Sequence, residues 1–243
     1  MATYSNAEAF IEVLNAHGID KIFFNPGGEF IGLQSRIAQA RVAGETAPQL
    51  VLCLDESVTV SAAHGAYMVS GKPQVILVHS ELGTLQMGGN LQNLQWGRVP
   101  AVILAAYQTD GLRSTWRQEP YDQGWIVRGN MKWDRRITND EGLGPILIEA
   151  FRVACTEPTG PVYLYFPFDY LAQTTDRPDA PLAPAEVAPL PPAVTGTLDQ
   201  AADLLLAADN PLIVTGTTGR YPQNVDALVR LAESLCAPVL TGQ

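Results

Sequence analysis

The amino-acid sequence predicts an α/β protein with a doubly wound, mainly parallel sheet covered by helices on both faces. Three short apolar runs, residues 50–54, 74–78 and 101–106, are typical of strands that are buried on both faces. The segments between them contain small and apolar residues with helical features, and the first of these segments stops at Gly71. Strands that alternate with helices along the chain build parallel βαβ units.

The remaining elements follow in chain order. Ser5 and Glu8 form a capping box before a helix that Gly18 ends, and residues 21–24 form a strand. A sharp turn at residues 25–29 precedes a second helix. After residue 78 we expect a polar turn at residues 79–83, then a helix-like segment to about residue 97. The last elements of the first domain are a helix at 143–155 and a strand at 160–167.

Proline content marks a domain boundary. Six prolines between residues 177 and 192 are incompatible with a helix or a central strand, so this stretch is predicted to be an extended linker. We predict a first domain over residues 1–175, a linker over 176–195 and an incomplete, Rossmann-like central domain over 196–243. Its Gly216–Thr217–Thr218–Gly219 stretch hints at a nucleotide-binding turn, but the third glycine and the acidic partner are missing.

Composition excludes several classes of partner. The formal net charge of −10 disfavours nucleic acid and anionic membranes. No apolar run approaches the ~20 residues that span a bilayer, and the N-terminus does not resemble a signal peptide. The three cysteines are far apart and predict buried thiols rather than a metal site. We therefore expect a soluble, cytoplasmic protein.

Two adjacent acids, Asp55 and Glu56, follow the first of the three apolar runs, where the chain turns into a helix. In a doubly wound sheet, the carboxyl ends of the strands face the ligand crevice. An acid there is either a helix N-terminal charge, stabilised by the helix dipole, or a catalytic group. The residues alone leave both interpretations open.

The pattern around these acids resembles the pyrimidine-binding domain of thiamine diphosphate enzymes of the acetolactate synthase, benzaldehyde lyase and oxalyl-CoA decarboxylase superfamily. Glu56 stands at the glutamate of that family's "HE…A…A.GYA..TGKPGV" motif, followed by His64-Gly65-Ala66-Tyr67 and Ser70-Gly71-Lys72-Pro73. The family's "TSGPG" turn aligns with residues 79–83, and its "F.PGG" turn with Pro26-Gly27-Gly28. The resemblance covers essentially the whole chain and is strongest over residues 26–169.

The resemblance implies a set of site residues. Glu56 would act on the cofactor's pyrimidine ring, in an apolar setting where its carboxylate can share a proton, and His79 would be a second catalytic group. The implied cofactor-binding residues are Glu56, Pro26, Gly27, Ser80, Gly83 and Gln86. The implied substrate-pocket residues are Gly28, Glu29, Glu81, Leu82 and Gln118.

Simpler interpretations stand beside three of these residues: His79 as a satisfied strand-end histidine, Gln86 as a helix cap and Glu29 as a solvent-facing acid. The sequence also departs from the family pattern. Asp55 stands where the family frequently has histidine, and Glu81-Leu82 replaces Gly-Pro.

The cofactors implied by the resemblance are thiamine diphosphate and Mg²⁺. The family holds the metal and the diphosphate with a GDG motif, which these 243 residues lack. We therefore expect a diphosphate-binding subunit or a missing C-terminal region to complete the site, in a dimer, tetramer or hetero-oligomer. The implied activity is that of a lyase, transferase (carboligase) or decarboxylase acting on a 2-keto acid, 2-hydroxy ketone or 2-hydroxyacyl-CoA.

Two rival interpretations belong to different classes. The altered residues and the missing GDG motif would suit a non-catalytic regulatory or scaffold subunit, whereas the retained Glu56 opposes it. The stretch at residues 216–219 would suit a nucleotide-binding module.

Overall fold

A computed structural model describes residues 4–109 and 122–242. The chain divides into two compact units, of which the first extends to Ala188 and the second begins at Pro189. This division falls inside the segment at 176–195 for which a linker is predicted. Each unit is described by itself.

The first unit contains six strands and six α-helices among the described residues. The strands are β1 (Lys21–Phe24), β2 (Gln49–Leu52), β3 (Gln74–Val78), β4 (Ala101–Tyr107), β5 (Trp133–Arg136) and β6 (Val162–Pro167). The helices are α1 (Asn6–Ala16), α2 (Ile31–Val42), α3 (Glu56–Ser70), α4 (Ser80–Gln86), α5 (Gly88–Trp96) and α6 (Leu143–Cys155).

The six strands form one sheet in the order β2-β1-β3-β4-β6-β5, and every strand pair in it is parallel. This confirms the predicted fold class. The order reverses between β1 and β3, because the chain places β2 on one side of β1 and β3 on the other. Such a reversal opens a crevice at the carboxyl ends of the strands.

Alternate residues of each central strand face opposite layers of helices. One apolar core joins α1, α2 and α6 to residues such as Val75 and Leu77 of β3. The other joins α3 and α5 to Ile76 and Val78 of the same strand. The two-residue period of a strand therefore supplies both layers, which explains why the central strands have continuous apolar sequences.

The structure corrects two predictions. The run at residues 50–54 is not buried on both faces, since β2 lies at the sheet edge, pairs with β1, and leaves Leu52 60% exposed. Residues 79–83 are not a turn, because α4 already begins at Ser80 and His79 is its N-cap. The cysteine prediction is also only partly right: Cys53 is buried, whereas Cys236 is exposed.

The second unit contains α7 (Thr195–Leu206), β7 (Ile213–Thr215), α8 (Pro222–Leu235) and β8 (Val239–Thr241), with β7 and β8 parallel. Neither of its helices has a buried residue, and large apolar side chains such as Leu204 and Leu206 are exposed. So small a unit buries too little apolar surface to be stable by itself. Across the described parts of the chain, no helix is long and apolar enough to cross a membrane.

Candidate active site

The candidate site lies where the strand order reverses, at the carboxyl ends of β1, β2 and β3. The backbone N–H of Asn25, directly after β1, donates to the carbonyl of Leu77 in β3 at 3.1 Å. This bond holds the turn that begins with Pro26 beside the chain that leaves β3. The segments at 25–29 and 79–83 are thereby brought together across about fifty residues of sequence.

Glu29, His79 and Ser80 form a hydrogen-bonded cluster at this reversal, in which Glu29 and Ser80 are buried and His79 is partly exposed. The Glu29 side chain is fully buried, and its two carboxylate oxygens lie 2.9 and 3.0 Å from His79 Nδ1. The backbone N–H of Ser80 donates to Glu29 Oε1 at 3.0 Å, and the Ser80 hydroxyl lies 3.3 Å from the same oxygen. Glu29 therefore does not face solvent, which rules out the simpler interpretation of this residue.

Gly27 leaves the space that this cluster occupies. A Cβ atom on Gly27 would lie 2.1 Å from Glu29 Oε2 and 2.4 Å from His79 Nδ1. Only glycine can therefore occupy this turn while the acid and the histidine keep their contact. Gly28 fits against a different neighbour, since a Cβ there would meet the ring of Phe168 at 3.0 Å.

Glu56 begins α3 and packs against Gly83 of α4. A Cβ on Gly83 would lie 2.7 Å from Glu56 Oε1, so the missing side chain is what makes room for the carboxylate. Glu56 is half-buried, and its carboxylate has no hydrogen-bond or ion-pair partner among residues 4–109 and 122–242.

Asp55, in contrast, has its carboxylate fully engaged. It caps α3 by accepting from the backbone N–H of Ser57 at 2.7 Å, and it also accepts from the Ser57 hydroxyl and from Gln86 Nε2 at 3.0 Å. These bonds, led by the one from the Ser57 hydroxyl, lower the pKa of Asp55. Of the two adjacent acids, Asp55 is therefore the helix N-cap, whereas the Glu56 carboxylate is unpaired within the described residues.

The other predicted site residues lie on or near these elements. Glu81 and Leu82 lie in the first turn of α4, where Leu82 is more than half exposed and Glu81 has no hydrogen-bond partner in the described part of the chain. Gln86 contacts Asp55 rather than Glu56. Gln118 lies outside the described residues.

A buried polar network beneath α4 was missed from the sequence. It comprises Thr84, Tyr163 and Gln123, and Tyr163 OH lies 2.7 Å from both Thr84 Oγ1 and Gln123 Nε2. Burial raises the pKa of Tyr163 far above its ordinary value. The sequence contained no signal for this network, because Tyr163 stands in an apolar strand where an aromatic residue indicates only core packing.

The arrangement fits the pyrimidine half of thiamine diphosphate by the chemistry of its donors. A half-buried, unpaired carboxylate beside a glycine-lined space can share a proton with a ring nitrogen. The histidine, held through Nδ1, keeps Nε2 for a second contact. The described residues contain no group of three or more His, Cys, Asp or Glu that could hold a metal ion.

Comparison with known proteins shows a consistent similarity. Residues 5–125 match the family described as thiamine pyrophosphate enzyme, N-terminal TPP binding domain. The chain is 26% identical over 231 residues to benzoylformate decarboxylase from Pseudomonas aeruginosa, covering 95% of this chain and 42% of that protein. It is also 26% identical to the acetolactate synthase large subunit of Parasynechococcus marenigrum, over 98% of this chain and 39% of the relative.

The solved structures show the same relationship. A thiamine diphosphate-dependent 4-hydroxybenzoylformate decarboxylase from Rhodococcus jostii RHA1 superposes with a TM-score of 0.85 at 25% identity, covering 98% of this chain and 44% of that chain. The chain thus spans about two fifths of the length of the curated relatives it matches.

Proposed function

Because the chain belongs to the thiamine diphosphate-dependent enzyme superfamily, we propose that it is the pyrimidine-binding portion of a lyase, decarboxylase or carboligase that cleaves or forms a C–C bond next to a carbonyl. The observation that carries the proposal is the Glu56 carboxylate beside Gly83, which has no partner in the part of the chain that the structure describes, next to an Asp55 whose carboxylate caps α3 and accepts from Gln86.

When bound, thiamine diphosphate supplies an electron sink for the carbanion formed beside a carbonyl. Glu56 would bind the pyrimidine half and hold a proton at its carboxylate, in the space that Gly83 leaves. Pro26, Gly27, Ser80 and Gln86 would form the remaining wall on this chain. Mg²⁺ and the diphosphate would be held by residues outside it.

His79 would orient the substrate or exchange a proton with it. Its Nδ1 faces the Glu29 carboxylate at 2.9 Å, so the ring donates its Nδ1 proton to Glu29 and keeps Nε2 as the nitrogen for the substrate. The side chain is 28% exposed, which leaves it accessible from the crevice. Gly28, Glu81, Leu82 and Gln118 would line the same pocket.

The names of two relatives favour a 2-keto acid over a 2-hydroxy ketone or a 2-hydroxyacyl-CoA, since both describe decarboxylases of benzoylformate or its 4-hydroxy derivative. Exposed apolar side chains on α3 and α4 are evidence that a partner domain covers these helices and completes the site. Five of them along these two helices are more than half exposed: Val58, Met68, Val69, Leu82 and Leu85. We propose that a diphosphate-binding domain, from a further polypeptide or a C-terminal region, covers them in a dimer or tetramer.

The alternative of a non-catalytic scaffold subunit has less support. A half-buried carboxylate that has no partner among the described residues lowers the stability of the fold. A scaffold subunit without catalysis would have no reason to keep it. The relatives named above are enzymes by name.

The test compares two neighbouring acids in the native assembly, purified from its source with thiamine diphosphate and Mg²⁺. Native mass spectrometry reports bound cofactor and any partner chain, and turnover is measured on 2-keto acids. We expect Glu56→Gln to lose on the order of 100-fold or more in turnover, the scale of a removed acid–base group. The matched control is Asp55→Asn, since asparagine caps a helix as well as aspartate and should retain turnover. An assembly that binds no cofactor, or full turnover by Glu56→Gln, would remove the proposal.

A further inference from the structure

The polar network beneath α4 connects the interior of the sheet to the first turn of that helix. Thr84 Oγ1 lies 2.7 Å from the carbonyl oxygen of Ser80 and 2.7 Å from Tyr163 OH. Gln123 Nε2 lies 2.7 Å from the same Tyr163 hydroxyl and 3.1 Å from the carbonyl oxygen of Ala106. Thr84, Tyr163 and Gln123 are all fully buried or nearly so.

The two carbonyl groups at its ends determine the direction of every bond in this network. Carbonyl oxygens only accept, so the Thr84 hydroxyl donates to Ser80 and the Gln123 amide nitrogen donates to Ala106. Tyr163 must then donate to Thr84, and Gln123 donates its second proton to Tyr163. The chain of donors therefore runs one way, from Gln123 through Tyr163 and Thr84 to the Ser80 carbonyl.

Ser80 needs such support because its backbone is strained. Its φ of +40° lies in the left-handed region, which is costly for a residue with a side chain. The Thr84 hydroxyl donates to the Ser80 carbonyl, and the Glu29 carboxylate accepts from the Ser80 backbone N–H. Both backbone polar groups of Ser80 are thereby bound. The same Glu29 carboxylate accepts from His79.

We propose that Gln123, Tyr163 and Thr84 are positioning residues that hold Ser80 in its strained conformation and so fix the Glu29–His79 pair. This inference rests on the proposed function for its catalytic purpose, since His79 is the substrate-facing group there.

The test measures hydrogen exchange of the Ser80 amide by NMR in the 243-residue chain without cofactor, relative to the amide of Leu104 in β4. Tyr163→Phe removes only the hydroxyl, and we expect the Ser80 amide to exchange about tenfold faster, the usual effect of one buried hydrogen bond. The ¹⁵N signal of His79 Nδ1 should shift in the same variant. The matched control is Tyr170→Phe, because this tyrosine is also fully buried and also donates its hydroxyl proton, in this case to the carbonyl of Glu141 at 2.6 Å. It should change neither signal.

A second pair of variants tests the same network in case Tyr163→Phe does not fold. Thr84→Val breaks the bond next to Ser80 and should accelerate exchange of its amide, whereas Thr84→Ser keeps the hydroxyl and should behave like the unaltered chain. Unchanged exchange and an unchanged His79 signal in Thr84→Val would overturn the positioning role. Because these signals are read without thiamine diphosphate, they report on the network even if the native assembly proves not to bind the cofactor.

Discussion

Adding one methyl group at Gly83 tests whether Glu56 works from the place the structure gives it. The Cβ of alanine would lie 2.7 Å from Glu56 Oε1 and 3.1 Å from Glu56 Cγ, where ordinary contact begins at 3.4 Å. The carboxylate must therefore withdraw by ~0.7 Å. It is the far end of a flexible side chain, so rotation of Glu56 relieves the clash at little cost to the fold.

Gly83→Ala should therefore lower turnover without lowering the stability of the fold. Alanine favours a helix over glycine by about 1 kcal/mol, which offsets the overpacking, so the free energy of unfolding should change by less than about 1 kcal/mol. A catalytic group displaced by ~1 Å loses on the order of 100-fold in rate. We accordingly expect turnover of the native assembly to fall between about 10-fold and 100-fold, which corresponds to a barrier higher by roughly 1.4 to 2.7 kcal/mol.

Turnover with saturating thiamine diphosphate and urea unfolding of the same preparation measure the two effects. The matched control is Gly65→Ala in α3, where a Cβ would meet nothing within 4 Å. It should raise the free energy of unfolding by about 1 kcal/mol and leave turnover unchanged. Undiminished turnover by Gly83→Ala would refute the reasoning that Glu56 acts from beside this glycine.

Three further predictions concern stability and are checked by urea unfolding of the 243-residue chain. Burial lowers the pKa of His17 from 6.5, against a smaller opposing effect of its hydrogen bond to a main-chain carbonyl. The unfolded chain then binds the proton more readily than the folded chain. The free energy of unfolding should therefore fall as the pH drops from about 7.5 to about 5.5, and His17→Gln should flatten that slope. The Lys132 ammonium donates to the carbonyl of Val153 at 2.6 Å and to that of Thr156, at the end of α6. Lys132→Met removes both bonds and should lower the free energy of unfolding by about 1 kcal/mol. An unchanged midpoint of urea unfolding would contradict this role. Gly71 ends α3 with a φ of +66°, and Gly71→Ala should cost about 1 kcal/mol, whereas a gain would show that the left-handed cap is not required.

Local pattern was enough to predict most elements of the first unit. The capping box at Ser5, the strand at residues 21–24 and the helix at 143–155 have the predicted bounds, because caps, apolar period and glycine stops act over a few neighbouring residues. The same patterns failed at β2. An apolar run looks alike in a central and an edge strand, and only the pairing order decides which one is covered on both faces.

The sequence by itself determined the fold class, the family and the place of Asp55 and Glu56 at the end of a strand. Only the tertiary structure decided what surrounds each acid, because the bond from Gln86 to Asp55 and the space beside Gly83 for Glu56 depend on α4 packing against the start of α3. The tertiary structure also decided that Glu29 is buried in contact with His79. That acid meets His79 across fifty residues of chain, through the parallel pairing of β1 with β3. Contacts between distant segments arise from the packing of the whole sheet, which no local spacing encodes.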